Sequence, residues 1–415
     1  MSASHFAVKT HIFDAQHIRH YPGATRHGDS DIQRLEAKQY IPLANQNPRD
    51  GDVTIIGLHA TSFPKELYEP LWDDMLALSD SHGFRIRSIW IADASNQNAS
   101  GVLNEQTLGD DPSFSDYARD ILHMTNVFRE HMIPPIVGVG HSIGGAALIR
   151  LSCMHPRLFS SLVLLDPILG MDTMATGQRL IPMAATKPDL FPSREVAQKG
   201  FKKAFKNWDE RAFQRWMEFG LRGTPTLLCP EPGKVTLRTT KANEAWSYGR
   251  TQLDEGNEDG TKSKTDWIKY PDADPAGRPF YRPEGLEAME MLPRIRPDVL
   301  FVFPQYTAAS SQSHDQNVAR TGIAIGGSGG AKEGKVAKAL LKNAGHLCPF
   351  EVPTACAQAI TEWLGPDLKA WKDRVVYERE HRDDKSIDGI RLSERFIREA
   401  KQFSKTGSPS KNGKL

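Results

Sequence analysis

One serine of this chain stands in a setting typical of an enzymatic nucleophile. The segment PPIVGVGHSIGGAALIRL (134–151) carries GHSIG (140–144), a G-x-S-x-G pattern, between an apolar run and a run of small residues. A strand, a sharp turn and a helix in this order form a nucleophile elbow, in which the turn exposes the serine Oγ. Glycines suit that turn because a Cβ would collide with the neighbouring strand and helix. The pattern predicts Ser142 as a nucleophile, and the alternative is a buried serine in an ordinary glycine-rich turn.

A serine nucleophile needs a base, and the base needs an acid that orients it. In this setting the order along the chain is serine, acid, histidine. His346 lies in KNAGHLCPFE, directly after the last apolar run, and is predicted to be the base rather than a capping or surface histidine. Two carboxylates compete for the acid: Asp166 ends the apolar run SLVLLDP, and Asp315 follows the next run, VLFVFP. The spacing alone leaves the choice between them open.

Acyl transfer through a tetrahedral intermediate also needs two backbone N–H donors for the oxyanion. One is expected from Ile143, the residue after the serine, and the other from the loop that follows the first parallel strand. That loop is HATSFP (59–64), and Thr61 is predicted to be its donor, with Ala60 and Ser62 as the alternatives.

These residues need a scaffold that brings the ends of several strands together. The apolar runs VTIIGLHA, IRSIWIAD, PPIVGVG and SLVLLDP alternate with amphipathic segments, as strands covered on both faces of a parallel sheet do. VLFVFP and VAKALL resume the pattern later in the chain. The sequence therefore predicts an α/β fold: a mostly parallel eight-stranded sheet flanked by helices, with a lid insertion between its sixth and seventh strands.

Changes in composition predict the organisation of the chain. The expected parts are N-terminal strands of the α/β domain in 1–50, its core in 51–169 and 296–365, the lid insertion in 170–295, a charged C-terminal helix in 366–403 and a disordered tail in 404–415.

Aromatic residues in the lid follow the spacing of one helical face, with lysines beside it. Their expected roles are to hold a bulky acyl group and to meet phosphate groups, against the alternative of an ordinary lid core with a solvated basic face. The aromatic residues are Phe201, Phe205, Trp208, Phe213 and Trp216, and the lysines are Lys202, Lys203 and Lys206.

Composition excludes several classes of function. The 415 residues carry a formal net charge of +1, which gives no global field for nucleic acid, and the apolar runs are too short for a membrane span. The four cysteines lack a CxxC pair, and GGSGG (326–330) lacks the Lys-Ser/Thr of a phosphate cradle, so no metal or cofactor is predicted. The oligomeric state stays open, a homodimer included.

Taken together, these residues resemble the α/β-hydrolase superfamily over roughly 50–365. A closer likeness, to the fungal peroxisomal acyl-CoA hydrolases of mycophenolic acid biosynthesis and related hydrolases of toxin clusters, is carried by HATSFPKELYEPLW, GHSIGG, HPRLFSSLVLLDP, PSREVA, YRPE, GGSGG and GHLCPF. The resemblance implies Ser142, Asp166 and His346 as nucleophile, acid and base, and so favours Asp166. It departs at Ile143, where the relative has an aromatic residue, and at Ser62, where it has glycine.

The resemblance implies a serine hydrolase that cleaves an acyl-CoA thioester, with a secondary-metabolite acid as the acyl group. A carboxylesterase or lactonase acting on oxygen esters is the enzymatic alternative, and a non-catalytic ligand-binding protein on the same fold is the other. The last residues, Gly413, Lys414 and Leu415, are a variant of the S-K-L address that a peroxisomal import receptor binds. The predicted compartment is the peroxisome.

Overall fold

The computed structural model describes residues 4–170, 177–251, 272, 279–381 and 390–406. The strands are β1 (Phe6–Asp14), β2 (Arg34–Pro42), β3 (Val53–Leu58), β4 (Ile86–Ala92), β5 (Ile136–His141), β6 (Ser161–Leu165), β7 (Leu190–Phe191), β8 (Leu221–Gly223), β9 (Val235–Leu237), β10 (Arg250–Thr251), β11 (Phe280–Tyr281), β12 (Asp298–Tyr306) and β13 (Val336–Gly345). The helices are α1 (Glu69–Ser79), α2 (Asn98–Leu103), α3 (Phe114–Val127), α4 (Ile143–Met154), α5 (Gly177–Thr186), α6 (Arg194–Ala204), α7 (Glu210–Phe219), α8 (Lys241–Tyr248), α9 (Glu284–Met291), α10 (Ser311–Arg320), α11 (Cys348–Glu351), α12 (Pro353–Glu380) and α13 (Glu394–Thr406).

An eight-stranded sheet in the order β1-β2-β4-β3-β5-β6-β12-β13 forms the centre of the first compact unit, residues 1–368. The first two strands pair antiparallel with each other, and β2 pairs antiparallel with β4. From β4 to β13 every pair is parallel. The prediction of a mostly parallel eight-stranded α/β sheet is confirmed, and the segments that follow β3, β5, β6, β12 and β13 all leave from one edge of it.

Alternate residues of the central strands enter two separate hydrophobic cores. In β6, Val163 and Leu165 belong to the core that contains Trp72, whereas Leu162 and Leu164 belong to the core on the other face of the sheet. Side chains in a strand alternate between its faces, so a strand covered on both sides must be apolar throughout. This requirement explains the continuous apolar runs in the sequence.

The segment between β6 and β12 lies outside the main sheet. Its described part contains helices α5 to α9, a three-stranded sheet in the order β7-β9-β8, and the pair β10-β11. Since β6 and β12 are neighbours in the main sheet, the insertion starts from the edge where the predicted site residues lie. Residues 171–176, 252–271 and 273–278 of the predicted lid lie outside the described residues.

The aromatic positions of the insertion do not form the single helical face that their spacing suggests. Helix α6 ends at Ala204 and α7 begins at Glu210, where the Asp209 side chain caps it by accepting from the Arg211 N–H at 2.8 Å. Two helices joined by a bend therefore replace one continuous helix, and the aromatic rings meet across the bend.

The C-terminal region also contains two helices in place of one charged helix over 366–403. Helix α12 ends at Glu380, and α13 begins at Glu394 after Ser393, whose Oγ accepts from the Phe396 N–H at 3.1 Å. A serine cap of this kind marks a new helix start, which separates the two helices. The second compact unit, residues 369–415, holds α13; residues 407–415, with Gly413, Lys414 and Leu415, lie outside the described residues.

None of the helices in the described part of the chain combines the length and the apolar content of a membrane span.

Candidate active site

Ser142 occupies a strained turn between β5 and α4. Its φ of 57° and ψ of −117° are unusual for a residue with a side chain. The turn depends on close backbone packing: a Cβ on Gly140 would lie 2.6 Å from the Gly144 oxygen, and one on Gly144 would lie 2.3 Å from the Leu58 oxygen. The elbow expected from the G-x-S-x-G pattern is present, and it places the first turn of α4 against the end of β3.

His346 lies between Ser142 and Asp166. Its Nε2 is 3.0 Å from the Ser142 Oγ, and its Nδ1 is 2.6 Å from the Asp166 Oδ2. Because a carboxylate only accepts, Nδ1 carries the proton and Nε2 is left to accept from the serine hydroxyl. His346 follows β13 and its side chain is 40% exposed, whereas the Asp166 carboxylate, directly after β6, is 6% exposed. The structure thus joins the three residues in one hydrogen-bonded chain.

Asp315, the alternative acid, lies elsewhere. It belongs to α10, its side chain is 62% exposed, and it forms an ion pair with Lys338. The loop after β12, where an acid one strand later would be expected, contributes Thr307 instead, whose hydroxyl lies 3.1 and 3.0 Å from the two Asp166 carboxylate oxygens. Sequence reasoning missed Thr307, for which only its position after a strand end gives a signal.

Hydrogen bonds distinguish the three candidates for the second oxyanion donor. The Ala60 N–H donates to the Tyr68 hydroxyl at 2.9 Å, and the Ser62 N–H donates to the Gln97 Oε1 at 2.6 Å. Within the described residues the Thr61 and Ile143 N–H groups have no acceptor. These two groups, the ones predicted, are the pair left available to a substrate oxygen.

The orientation of the Thr61 N–H is set through the other end of its peptide group. The Ala60 carbonyl accepts from the His59 Nδ1–H at 2.8 Å and from the Phe63 N–H at 3.2 Å. The His59 Nε2 accepts from the Ala94 N–H at 2.8 Å, so the proton must be on Nδ1. In a trans peptide the C=O and N–H point in opposite directions, and fixing the Ala60 carbonyl therefore fixes the Thr61 N–H.

Residues 59–64, here named the oxyanion loop, include one strained position. Ser62 has a φ of 67°, a left-handed conformation that favours glycine. This is the position at which the sequence departs from the glycine of its resemblance. The loop keeps that backbone conformation with a serine in place, and the Gln97 side chain holds its N–H.

Gln97 also connects the oxyanion loop with the insertion. Its Nε2 donates to the Ser247 Oγ of α8 at 3.2 Å, and the Asn96 Nδ2 donates to the same oxygen at 3.0 Å. The Ser247 hydroxyl in turn donates to the Asn243 carbonyl at 2.7 Å. The Gln97 side-chain amide thus accepts from the oxyanion loop and donates to α8 of the insertion, a contact that the sequence does not reveal.

Aromatic rings of the insertion pack on both loops of the site. Measured between ring centroids, Trp208 lies 5.7 Å from Phe63 of the oxyanion loop and 5.1 Å from Phe350, four residues after His346. Phe205 stacks on Trp208 at 4.0 Å. These rings are partly buried against the core that contains Trp72, while the lysines beside them, Lys202, Lys203 and Lys206, are exposed.

Burial controls the charge of the other titratable groups near the site. It lowers the pKa of His59, and together with the neighbouring His346 it lowers the pKa of His141 to about 3, so both rings are neutral at physiological pH. A hydrogen bond with Cys356 and burial raise the pKa of the Cys348 thiol, which keeps it protonated and unreactive beside the base. Among the described residues no group of His, Cys, Asp and Glu is arranged to hold a metal ion.

Comparisons with known proteins identify the family of the chain. The sequence profile described as "Alpha/beta hydrolase family" matches residues 55–359. The chain is 35% identical to the type I acyl-CoA thioesterase mpaH′ of Penicillium brevicompactum over 93% of this chain and 94% of the relative, and 33% identical to mpaH of Penicillium roqueforti over 93% and 94%. It is 26% identical to the abhydrolase domain-containing protein AFT2-1 of Alternaria alternata, over 57% of this chain and 85% of that protein.

A solved structure supports the fold in the same way. The peroxisomal alpha-beta-hydrolase Lpx1 of Saccharomyces cerevisiae superposes with a TM-score of 0.68 at 16% identity, covering 98% of this chain and 99% of that one. At this level of identity the likeness concerns the fold. The resemblance to fungal acyl-CoA hydrolases and to toxin-cluster hydrolases is confirmed by the sequence relatives, and the chain belongs to the alpha/beta hydrolase family.

Proposed function

We propose that this protein is a serine hydrolase that cleaves an acyl-CoA thioester into a free acid and coenzyme A. The serine mechanism is supported by the hydrogen-bonded chain of Ser142, His346 and Asp166 beside two N–H groups without acceptors. The thioester substrate is supported by 35% identity to a type I acyl-CoA thioesterase over 93% of the chain. The resemblance implies a secondary-metabolite acid as the acyl group.

In the first half of the reaction, the Ser142 Oγ attacks the acyl carbon while its proton moves to the His346 Nε2. The Thr61 and Ile143 N–H groups hold the oxyanion of the tetrahedral intermediate, and Asp166 balances the positive charge that develops on the imidazole. The C–S bond then breaks, and the proton on Nε2 passes to the coenzyme A sulfur. The product of this half is an ester between the acyl group and the Ser142 Oγ.

In the second half, water takes the place of coenzyme A. His346 Nε2 accepts a proton from the water as its oxygen attacks the acyl carbon, and the same two N–H groups hold the second oxyanion. The bond between the acyl carbon and Oγ breaks, and Oγ recovers the proton from Nε2. The free acid leaves, and the site returns to its starting state without any cofactor.

Turnover of matched substrates tests this proposal. The purified chain is incubated with a panel of acyl-CoA thioesters and with oxygen esters of the same acids, and free thiol or acid is measured. We expect thioester hydrolysis that Ser142→Ala abolishes, with a loss on the order of a million-fold as in other triads. Hydrolysis confined to oxygen esters would make the protein a carboxylesterase or lactonase. Binding without hydrolysis of either class would make it a non-catalytic ligand-binding protein.

We further propose that the protein acts in the peroxisome. The support is the tripeptide Gly413-Lys414-Leu415, whose small, basic and apolar residues match the pattern that the import receptor recognises. Deleting these three residues from a fluorescently tagged chain should leave turnover unchanged and disperse the protein into the cytosol. Punctate localisation of the deleted chain would contradict the proposal.

A further inference from the structure

His141, the residue before the nucleophile, is fully buried and has no part in the proposed chemistry. Its ring nevertheless contacts two loops of the site. The Nδ1 lies 2.8 Å from the Tyr68 hydroxyl, and the Nε2 lies 2.8 Å from the backbone carbonyl of His346. The same Tyr68 hydroxyl accepts from the Ala60 N–H at 2.9 Å.

The chemistry of these groups fixes the direction of every hydrogen bond. A backbone carbonyl only accepts, so His141 must carry a proton on Nε2. The ring is neutral, so Nδ1 is the acceptor and the Tyr68 hydroxyl donates to it. That leaves the Tyr68 oxygen to accept from Ala60. The order Ala60 N–H, Tyr68 O–H, His141 Nε2–H and His346 C=O is one continuous chain with a single consistent arrangement of protons.

The two ends of this chain belong to the two loops that the proposed mechanism uses. Ala60 precedes the predicted donor Thr61, and the His346 carbonyl belongs to the residue whose ring is the predicted base. We propose that Tyr68 and His141 are positioning residues that hold the oxyanion loop and the base at a fixed separation. The catalytic consequence of this inference rests on the proposed serine mechanism, whereas the hydrogen bonds themselves are independent of that mechanism.

Packing shields this hydrogen-bond chain from water and keeps its protons in place. The Phe350 ring lies 5.1 Å from the Tyr68 ring and 5.6 Å from the His141 ring, both edge to face, and all three side chains are buried. Because the pKa of His141 is lowered to about 3, the ring stays neutral at any pH at which the base could work. The arrangement is therefore the same throughout the working range of the enzyme.

Removing the Tyr68 hydroxyl tests the chain where it meets the oxyanion loop. Tyr68→Phe leaves the Ala60 N–H and the His141 Nδ1 without partners, which loosens the loop that presents Thr61. We expect kcat to fall by about tenfold to a hundredfold with KM unchanged, since the lost contact matters in the transition state. The matched control is Tyr40→Phe, which loses a buried bond to Glu69 Oε1 of 3.0 Å. It should lower stability and leave kcat unchanged.

A double-mutant cycle tests whether the two residues act as one chain. His141→Asn keeps an acceptor for the Tyr68 hydroxyl and removes the donor to the His346 carbonyl. If the two residues act as one hydrogen-bond chain, the Tyr68→Phe/His141→Asn double variant loses about as much kcat as the more impaired of the two single variants. A loss equal to the product of the two single losses would overturn the inference.

Two further measurements separate this inference from the thioesterase proposal. Nitrogen NMR of protein labelled at its histidines should show His141 as the neutral Nε2–H tautomer, with the His141 signals identified by their absence in His141→Asn. A His141 ring that carries its proton on Nδ1, or protons on both nitrogens, would contradict the proposed hydrogen-bond chain. A fluorophosphonate that bonds to the Ser142 Oγ with loss of fluoride uses the same base and donors without any acyl-CoA. If wild type reacts with it but cleaves no thioester, the substrate proposal fails. Tyr68→Phe should still slow that reaction, and a wild-type rate would overturn the inference.

Discussion

Asp166 is the residue whose role the structure separates most sharply from its alternative. Its carboxylate accepts from the His346 Nδ1–H and from Thr307, while Asp315 pairs with Lys338 on the surface. Asp166→Asn replaces the acceptor with an amide that cannot balance the imidazolium, and it favours the wrong tautomer of the base. We expect kcat to fall by roughly a thousandfold to ten-thousandfold, measured at saturating substrate.

Asp315→Asn is the matched control, because it makes the same chemical change outside the hydrogen-bonded chain. Its kcat should equal that of the wild type. Circular dichroism of both variants checks that the fold is kept, which matters because Asp166 has a φ of 39° and directly precedes Pro167. An impaired Asp315 variant beside an active Asp166 variant would move the acid one strand later.

The sequence predicted residues where type and position are constrained together. Ser142 and His346 were predictable because one follows a strand in a glycine-rich elbow and the other follows the last strand. The acid stayed open on spacing alone because two carboxylates follow strand ends. The sequence leaves Ala60, Thr61 and Ser62 as candidates for the second oxyanion donor. It does not show that Tyr68 accepts from the Ala60 N–H or that Gln97 accepts from the Ser62 N–H.

At the level of elements, the oxyanion loop and α8 meet through one side chain. Gln97 accepts from the Ser62 N–H and donates to Ser247. Ser247→Ala removes the insertion side of this contact, together with the bond that Asn96 donates to the same oxygen. We expect a several-fold rise in KM with kcat nearly unchanged, because α8 loses a buried anchor. Gln97→Ala also frees the Ser62 N–H and should lower kcat in addition. Steady-state kinetics of both variants checks this split.

An equal fall of kcat in the Ser247 and Gln97 variants would contradict this expected difference and show that the contact with α8 itself controls the oxyanion loop. Limited proteolysis supplies the independent control. Both variants should expose the insertion to cleavage more than the wild type does, since each removes the same contact with α8.

The insertion shows why elements outside the sheet are harder to predict. Phe201 and Trp216 fit one helical period, yet the chain bends between α6 and α7 after Ala204. The spacing of the aromatic residues shows which side chains are apolar, whereas the position of the bend depends on which other rings they contact. Two of those partners come from distant parts of the chain: Phe63 contacts Trp216, and Phe350 contacts Trp208. In the central strands β3, β5 and β6 the same ambiguity does not arise, because every residue of these strands is buried.

At the scale of the whole molecule, the packing of the sheet and the chemistry at its edge depend on the same strands. The central parallel strands β3, β5 and β6 are buried throughout. The carboxyl ends of the parallel strands converge on one edge, where Ser142, Asp166 and His346 meet although they lie far apart in the sequence. One carboxyl group at the opposite end of this sheet makes the folded state less stable as the pH rises. Asp367 of α12 shares a hydrogen bond with Asp298 at the start of β12.

This pair makes stability depend on pH. Burial and the bond with Asp298 raise the pKa of Asp367 to about 8, against about 4 for a carboxyl in the unfolded chain. The native state therefore binds the proton more tightly, so its contribution to stability is complete below about pH 4 and is lost as the pH rises towards 8. Asp367→Asn carries an amide that cannot ionise. The variant should gain stability over the wild type progressively between about pH 4 and pH 8, and the difference should level off above that.

Urea unfolding of the wild type and of Asp367→Asn from pH 5 to 9 measures this difference in stability. The same substitution in an Asp298→Asn background should show a smaller pH dependence, because the second carboxyl is gone. A difference that stays constant or shrinks as the pH rises would mean that the native state does not raise the pKa of Asp367.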